Sequence, residues 1–210
     1  SFAESIIKGT PITENSSRIK FFDADKTSSS EFLNKSVPQI IDRYGIDNVQ
    51  FISPTYENDL GVNSINKWVT RYFFNNDSLN IGDRIMLIRN IKDLGVFNGQ
   101  QAHITGLGRD ISLELMDGTQ VNLPYSLKTS ISKAWAITVH KAQGSEAETV
   151  IACLDKENSF YYSRCLLYSI VTRARENLFI YVSFSQFKSY LKNSKTVKTI
   201  FSELKSIENN

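Results

Sequence analysis

The sequence is poor in the residues that build metal sites and covalent cross-links. Its 210 residues include two cysteines and two histidines, and Cys153 and Cys165 stand twelve positions apart without a C-x-x-C pair. This pattern supports neither a zinc site nor a disulfide framework. We therefore expect both cysteines to be small buried hydrophobic residues, and we expect no metal site in the chain.

Long hydrophobic stretches are also missing. The apolar runs are only a few residues long, far short of the roughly 18 residues that a membrane-spanning helix needs, and no basic-then-apolar signal pattern opens the chain. These observations predict a soluble, cytoplasmic protein. Because the sequence starts at Ser1 without a methionine, we expect it to be a piece of a longer one.

Several nucleotide and catalytic motifs are absent as well. No glycine is followed by lysine, so the 210 residues contain no phosphate-binding loop of the form G-x-x-x-x-G-K-[ST]. The patterns G-x-G-x-x-G, H-E-x-x-H and G-x-S-x-G do not occur either. The sequence alone therefore gives no support to hydride transfer, zinc proteolysis or serine hydrolysis.

The first third of the chain alternates helical and strand patterns. Apolar residues recur at helical spacing over Glu31–Arg43 and Gly61–Phe74, and the β-branched run Val49–Ile52 lies between them. We also expect a helix over residues 1–9 and a helix cap at Ser30. A helix followed by a buried strand is typical of an α/β layer.

The predicted secondary-structure pattern changes at Asn75 and becomes α/β again at Ala134. Turn signals separate short strand patterns in the middle segment, and Asp117-Gly118 favours a hairpin. These patterns predict a small β-barrel inserted into an α/β domain. The predicted strands of the insert and of the last segment are Arg84–Arg89, Gln101–Leu107, Ile111–Met116, Gln120–Leu123, Ala134–Val139, Thr149–Leu154 and Leu178–Val182, with helices over Arg164–Arg173 and Phe184–Ile207.

We accordingly divide the chain into three segments. Residues 1–74 are the first part of the α/β domain, 75–133 the barrel insert, and 134–210 the remainder of the α/β domain with C-terminal helices. Residues 1–130 carry 13 basic and 15 acidic side chains, whereas residues 131–210 carry 11 and 7. The basic excess at the end of the chain favours an anionic partner there.

Two segments concentrate polar side chains where an α/β fold binds ligands. One is AWAITVHKAQGSE, a strand pattern ending at residues 138–146. The other is YSIVTRARE, in which Arg173 and Arg175 follow an apolar helix, and arginine can bind a phosphate bidentately. The alternatives are an ordinary surface turn at His140 and an ion pair between Arg173 and Glu176.

These segments resemble a known family. AITVHKAQGSEAETV and LLYSIVTRARENLFIYV look like motifs V and VI of superfamily 1 DNA helicases, in the RecD-like branch that includes helicase regions of conjugative relaxases. VQFISPTYENDLGVNSIN resembles motif IV of that branch, and GDRIMLIRNIKDLGVFNGQQAHITG resembles the start of its SH3-like insert. The resemblance implies a RecA-like domain 2A, a parallel sheet flanked by helices, with an SH3-like barrel called 2B inserted in it.

The resemblance also implies roles for individual residues. Arg173 matches the motif VI arginine finger, which acts on the γ-phosphate of ATP. Gly144 and Glu146 match the motif V positions near the nucleotide. The positions implied to contact single-stranded DNA are Thr138, His140, Lys141 and Gln143, together with Asn98 and Gly99 of the insert's VFNG turn.

The family's cofactors and partners follow from the same resemblance. An intact enzyme would use ATP and Mg²⁺, bind single-stranded DNA, and carry a preceding RecA-like domain 1A with the phosphate-binding loop; a larger recombination or conjugation complex is a further partner. This sequence departs from the family at motif IV, where Tyr56, Glu57 and Asn58 stand near a position that is often basic. A phosphate contact from that loop is therefore not expected.

Two functions remain open at this stage. The first is the C-terminal motor half of an ATP-dependent 5′ to 3′ DNA helicase, inactive without domain 1A. The alternative is a vestigial helicase fold that binds DNA or recruits a partner protein, as in relaxases and secretion. The intact sequences TVHKAQGSE and TRARE favour the first.

Overall fold

The computed structural model describes residues 18–154 and 163–187. The contacts of the chain divide it into two compact units, the first formed by Ser1–Gly61 with Thr138–Asn210 and the second by Val62–Ile137. The helix expected over residues 1–9 and nearly all of that expected over Phe184–Ile207 lie outside the described residues. The segment boundaries at 74/75 and 133/134 stay predictions.

Ten strands lie within the described ranges. They are β1 (Ile19–Asp23), β2 (Val49–Ser53), β3 (Arg84–Leu87), β4 (Gln101–Leu107), β5 (Asp110–Leu115), β6 (Gln120–Pro124), β7 (Ile131–Lys133), β8 (Ala136–Thr138), β9 (Ala147–Cys153) and β10 (Ala174–Val182). The α-helices of the same ranges are α1 (Ser29–Glu31), α2 (Val37–Tyr44), α3 (Val62–Phe74) and α4 (Arg164–Val171).

A five-stranded sheet with the order β1-β10-β9-β2-β8 forms the centre of the first unit. The pairings of β1 with β10, β10 with β9, and β9 with β2 are all parallel. Every residue of β2 is buried, as expected for an inner strand of a parallel sheet with both faces covered. The predicted α/β fold with a parallel sheet is therefore confirmed, and β8 carries the chain out of the second unit into this sheet.

The helix predicted over Glu31–Arg43 has a wider turn inside it. Residues 32–36 form a π-helix between α1 and α2, with Pro38 in the first turn of α2. Proline has no N–H to donate, and a π turn is one way for a helix to pass such a gap. The cap is Ser28 rather than the expected Ser30, since the Ser28 hydroxyl accepts a hydrogen bond from the Glu31 backbone N–H.

Helix α3 buries a partly polar face. Ile65 and Val69 are buried as their helical spacing predicts, but Asn66 and Thr70 are buried beside them. Asn66 is satisfied because its amide group donates to the Ala136 carbonyl at 3.0 Å and accepts from the Ala136 N–H at 2.9 Å. Phe73, which the spacing also places on the apolar face, is 40% exposed.

The second unit is built on an antiparallel sheet with the order β6-β5-β4-β3-β7. Its core includes the fully buried Ile85, Leu87 and Ile111. Buried and more exposed residues alternate along β5, as a one-sided sheet requires, whereas every residue of β3 is buried. The predicted hairpin is confirmed between β5 and β6. Gly118 has a φ of +85° in that turn, a conformation that glycine adopts without strain.

Two expectations drawn from composition, on the cysteines and on membrane-spanning helices, can be compared with the structure. Cys153 is buried as expected, whereas Cys165 on α4 is only partly buried. Within the described ranges, no helix combines the length and the apolar character that a membrane crossing needs.

Candidate functional site

The polar segment that follows β8 forms a tight turn at its start. Thr138 is buried at 6% exposure, and its hydroxyl accepts a hydrogen bond from the Lys141 N–H at 3.3 Å. Its carbonyl accepts another from the Ala142 N–H at 3.0 Å. Thr138 therefore acts as the cap of this turn, and its side chain faces the protein.

The segment then bends at Gly144 before β9 begins. Gly144 has a φ of +83° with no atom near the position of a Cβ. The Gln143 N–H donates to the His140 carbonyl at 3.2 Å, which draws the turn together. The side chains of His140, Gln143 and Glu146 are exposed, so this loop, residues 139–146, presents an imidazole, an amide and a carboxylate on one short stretch of backbone.

Arg173 joins the second polar segment to this loop. Its Nη1 donates to the Ser145 carbonyl at 2.9 Å and lies 3.5 Å from the Ala142 carbonyl. The other side of the guanidinium donates from Nε to the Ser169 carbonyl at 3.1 Å and from Nη2 to the Thr172 hydroxyl at 3.0 Å. The alternative of an Arg173–Glu176 ion pair is not what the structure shows, because backbone carbonyls surround this cation instead.

The backbone strengthens the same junction. The Ala147 N–H donates to the Arg173 carbonyl at 2.9 Å, and Ala147 pairs with Ala174 where β9 and β10 begin. Two segments 28 positions apart in sequence thus meet at the start of two neighbouring parallel strands. This gathers Arg173, Gly144 and Glu146 into one region.

Tyr56 is a residue of this site that the sequence does not single out as a contributor. It lies 48% exposed in the loop after β2, and Lys141 Nζ sits 5.8 Å from the centre of its ring. A cation at this distance is attracted by the electron-rich ring face. The loop after β2, which has no basic residue near Tyr56, is therefore accompanied by the positive charge of Lys141. In the sequence, the signal that could have pointed to Tyr56 is its position just after Ser53–Pro54, at the end of a strand pattern.

Asn98 and Gly99 belong to the second unit. The Asn98 N–H donates to the Asn90 side-chain oxygen at 2.8 Å, and the Gly99 N–H to the Leu87 carbonyl at 2.8 Å. Gly99 has a φ of +91°, which explains the glycine at this position. Phe97, which precedes them, is 56% exposed and does not pack in the core.

Arg173 brings a guanidinium to loop 139–146, where the Ser145 and Ala142 carbonyls accept from it. A guanidinium and backbone N–H groups are ligands for anions. Among the residues that the structure describes, no three His, Cys, Asp or Glu side chains come together in a way that could hold a metal ion. By its chemistry, the Arg173 guanidinium is a group that binds anions.

The chain is similar to proteins of one family. Residues 133–181 match the UvrD-like helicase C-terminal domain. The RecBCD enzyme subunit RecD of Buchnera aphidicola subsp. Schizaphis graminum is 33% identical over 168 residues, which is 77% of this chain and 27% of that protein. The ATP-dependent RecD2 DNA helicase of Deinococcus radiodurans is 28% identical over 140 residues, or 62% of this chain and 19% of that protein.

A solved structure agrees with the fold. The Pif1 helicase from Bacteroides, in complex with ADP-AlF3 and single-stranded DNA, matches 97% of this chain and 53% of its own with a TM-score of 0.61 at 17% identity. The chain spans about a quarter of the length of the first curated relatives it matches. By its fold, its matched domain and these relatives, the chain belongs to the RecD-like superfamily 1 helicases and corresponds to their C-terminal half.

Proposed function

We propose that this chain is the C-terminal motor half of an ATP-dependent DNA helicase that moves 5′ to 3′ on single-stranded DNA. The observation that carries the proposal is the junction of Arg173 with loop 139–146. Two motifs that would have to act on one nucleotide are tied together by hydrogen bonds from the Arg173 side chain to the Ser145 and Ala142 carbonyls and from the Ala147 N–H to the Arg173 carbonyl. A vestigial helicase fold that no longer binds a nucleotide would not require the hydrogen bonds between Arg173 and the carbonyls of this loop.

In this proposal Arg173 is the arginine finger. ATP, bound chiefly by a preceding RecA-like domain, supplies the phosphoryl group whose transfer drives movement. The guanidinium is held in a fixed plane by the Ser169 and Ser145 carbonyls, and a preorganised cation stabilises the charge that spreads over a transferring phosphoryl group. Glu146 lies exposed on the same loop, where it can accept a hydrogen bond from a ribose hydroxyl.

DNA contact is assigned to the exposed side of loop 139–146. His140 and Gln143 can donate to phosphate and sugar oxygens, and Lys141 adds a positive charge. Thr138 contributes through the turn that it caps rather than by touching DNA, because its hydroxyl is buried and engaged. Asn98 and Gly99 are proposed as DNA contacts of the second unit, considered by itself, and Asn98 carries the polar side chain there.

The antiparallel sheet of the second unit is proposed to belong to the SH3-like insert 2B, residues 75–133. Its first strand, β3, pairs with its last, β7, while β4, β5 and β6 form a meander. A 3-10 helix over Tyr125–Ser130 leads from β6 to β7. A sheet in which the first and last strands pair in this way can curl into a small barrel.

The test is an ATPase assay on a longer protein in which this chain follows a domain with a G-x-x-x-x-G-K-[ST] loop. To find that longer protein, the open reading frame that encodes this chain is compared with the intact mass of the purified chain. We expect hydrolysis that single-stranded DNA stimulates, strand separation of a substrate with a 5′ overhang, and neither activity in the 210-residue chain alone. Unstimulated hydrolysis, or unwinding only from a 3′ overhang, would contradict the proposal.

A further inference from the structure

A basic cleft opens on the first unit between the edge strand β1 and the side of α2, along the length of that helix. The cavity has a volume of about 360 Å³. Lys20 and Phe22 share one face of β1 because alternate residues of a strand point the same way, and the register sets Lys20 beside Phe179 of β10. The cleft shares no lining residue with loop 139–146 or with Arg173.

The charge of the cleft is of one sign. Arg18 and Lys20 enter it from β1 and its approach, and Arg43 enters it from the last turn of α2. Among the described residues that line the cleft, none is an aspartate or a glutamate. A concave surface lined by cations focuses a positive potential and concentrates anions near it.

Aromatic rings form the walls beside these cations. Lys20 Nζ lies 5.2 Å from the centre of the Phe22 ring, and the Arg43 guanidinium lies 5.4 Å from that of Tyr44. The Tyr44 and Phe179 rings are 5.7 Å apart at their centres. Rings interleaved with cations are the combination that stacks the bases of a single strand while holding its phosphates.

We propose that this cleft is a second binding site for single-stranded nucleic acid, taking a base against the Tyr44 ring and backbone phosphates on Arg18, Lys20 and Arg43. The amides of Gln39 and Asn177 also line the cleft and can meet the edges of a base. The cavity is large enough for about one nucleotide, at the lower end of the size range of small-molecule sites.

A strand is favoured over a free nucleotide because, among the described residues, no free helix N-terminus faces the cleft. Free nucleotide phosphates are usually held at a helix N-terminus or a glycine-rich turn. Helix α2 runs along the cleft from Ser36 to Tyr44 and continues the π-helix before it, so the Val37 N–H already donates to the Phe32 carbonyl. No glycine is among the described lining residues. An acidic peptide would use the cations but would leave the rings without a role.

The test measures binding of a fluorescent oligothymidylate to the 210-residue chain by anisotropy at low salt. Lys20→Glu and Arg43→Glu are each expected to raise Kd about fivefold or more, because each reverses a phosphate contact. The matched control is Arg109→Glu, which makes the same charge change on the exposed turn between β4 and β5; its Kd is expected to stay within about twofold. Unchanged Kd in both cleft variants would overturn the proposal.

A second readout locates the strand and does not depend on the charge variants folding well. An iodouracil-substituted oligonucleotide is cross-linked to the unmodified chain and the adduct is mapped by mass spectrometry. Adducts on Tyr44, Phe22 or Phe179 support the cleft, and adducts found only on Tyr56 or loop 139–146 overturn it. Two competitors give a further test: poly-glutamate, at a carboxylate concentration equal to the phosphate concentration of the oligonucleotide, and free ADP at an equal phosphate concentration. Displacement of the oligonucleotide by either one would also overturn the proposal.

The outcome is separable from that of the proposed motor function. Failure of the cleft leaves the stimulated ATPase of the longer protein intact, since Arg173 and loop 139–146 lie outside it. Conversely, absence of stimulated ATPase activity together with cross-links at Tyr44 would contradict the proposed motor function and support the proposed binding site in the cleft.

Discussion

Arg173 Nη1 donates a hydrogen bond to the carbonyl oxygen of Ser145 at 2.9 Å. The bond joins the end of a helix to the loop before β9 and fixes the plane of the guanidinium. Because this guanidinium holds the loop and, in the proposed function, also meets the γ-phosphate of ATP, Arg173 is expected to have a structural and a chemical effect that can be measured separately.

Replacing Arg173 tests both effects. In the longer protein, Arg173→Ala should lower ATP turnover by about 10³-fold or more, and Arg173→Lys should recover little of it because an ammonium lacks the planar fork. In the 210-residue chain, Arg173→Ala should reduce the free energy of unfolding by about 1–3 kcal/mol, the contribution of charged hydrogen bonds. Urea unfolding and steady-state ATPase are the two measurements.

Arg175→Ala is the matched control for that experiment. Arg175 is exposed and lies two residues further on, so the same charge is removed without breaking the junction. Turnover and stability close to those of the unmodified protein are expected. A loss as large as that of Arg173→Ala would assign the effect to net charge instead of to the guanidinium on Ser145.

The contact between Lys141 and Tyr56 predicts a shared effect on DNA binding. Lys141→Ala and Tyr56→Ala should each weaken binding of single-stranded DNA, and the double variant should be less than additive because the ring positions the ammonium group. The coupling should be about 0.5–1 kcal/mol, as for cation–π pairs at exposed sites. Kd measured over a range of salt should show a slope reduced by about one for Lys141→Ala.

Tyr56→Phe separates the ring from the hydroxyl in the same assay. The ring face is retained, so binding close to that of the unmodified chain is expected. Additive effects of Lys141→Ala and Tyr56→Ala, or a Tyr56→Phe variant as weak as Tyr56→Ala, would show that the two residues act apart.

The second unit depends on a buried carboxylate. Asp83 is fully buried and lies 3.2 Å from Lys133 Nζ, and it accepts a hydrogen bond from Trp135 Nε1 at 3.2 Å. Asp83→Asn keeps the shape of the side chain but leaves the Lys133 ammonium without its counter-charge. Removing one partner of a buried pair costs about 3–5 kcal/mol, which urea unfolding can measure.

Asp93→Asn provides the comparison for Asp83. Asp93 is exposed in the 3-10 turn after β3, and its replacement should change stability by no more than about 0.5 kcal/mol. Equal losses in the two variants would mean that the buried pair contributes nothing specific.

Gly144 predicts a backbone effect. With φ at +83° and open space around it, Gly144→Ala should destabilise the chain by about 1–2 kcal/mol through strain alone, and Gly144→Asn should cost less because asparagine tolerates this conformation. Gly108→Ala is the control, since Gly108 also has open space around it without a positive φ. Unfolding midpoints that are equal for the Gly144 and Gly108 variants would contradict this explanation.

One exposed ion pair predicts a pH dependence. Hydrogen bonds from the Arg71 guanidinium lower the pKa of Asp77 below its ordinary value. A lowered pKa in the folded state means that the pair stabilises the fold above the unfolded pKa of about 3.9 and stops doing so as pH falls through the folded value. The stability difference between the unmodified chain and Asp77→Asn should therefore vanish in acid; a difference that grew in acid would reverse the assigned sign.

The sequence determined by itself the elements whose signal is local. The helical spacing over Glu31–Arg43, the run at Val49–Ile52 and the Asp117-Gly118 turn each specify their own conformation through side-chain periodicity or turn chemistry. The cap was predicted wrongly at Ser30, although Ser28 and Glu31 have the spacing of a capping box and Ser28 is the cap in the structure. The π turn before Pro38 is a departure that periodicity does not reveal.

Only the tertiary structure decided what surrounds each polar side chain. The sequence singled out Arg173 and Gly144 through their motifs, but the Ser145 and Ala142 carbonyls that hold the guanidinium carry no side-chain signal at all. The burial of Asn66, Thr70 and Asp83, the cations gathered beside β1 and the ring beneath Lys141 depend on pairings between distant segments. Local sequence fixes periodicity and turns, whereas partners of a polar group are set by strand order and packing, which no short stretch of sequence contains.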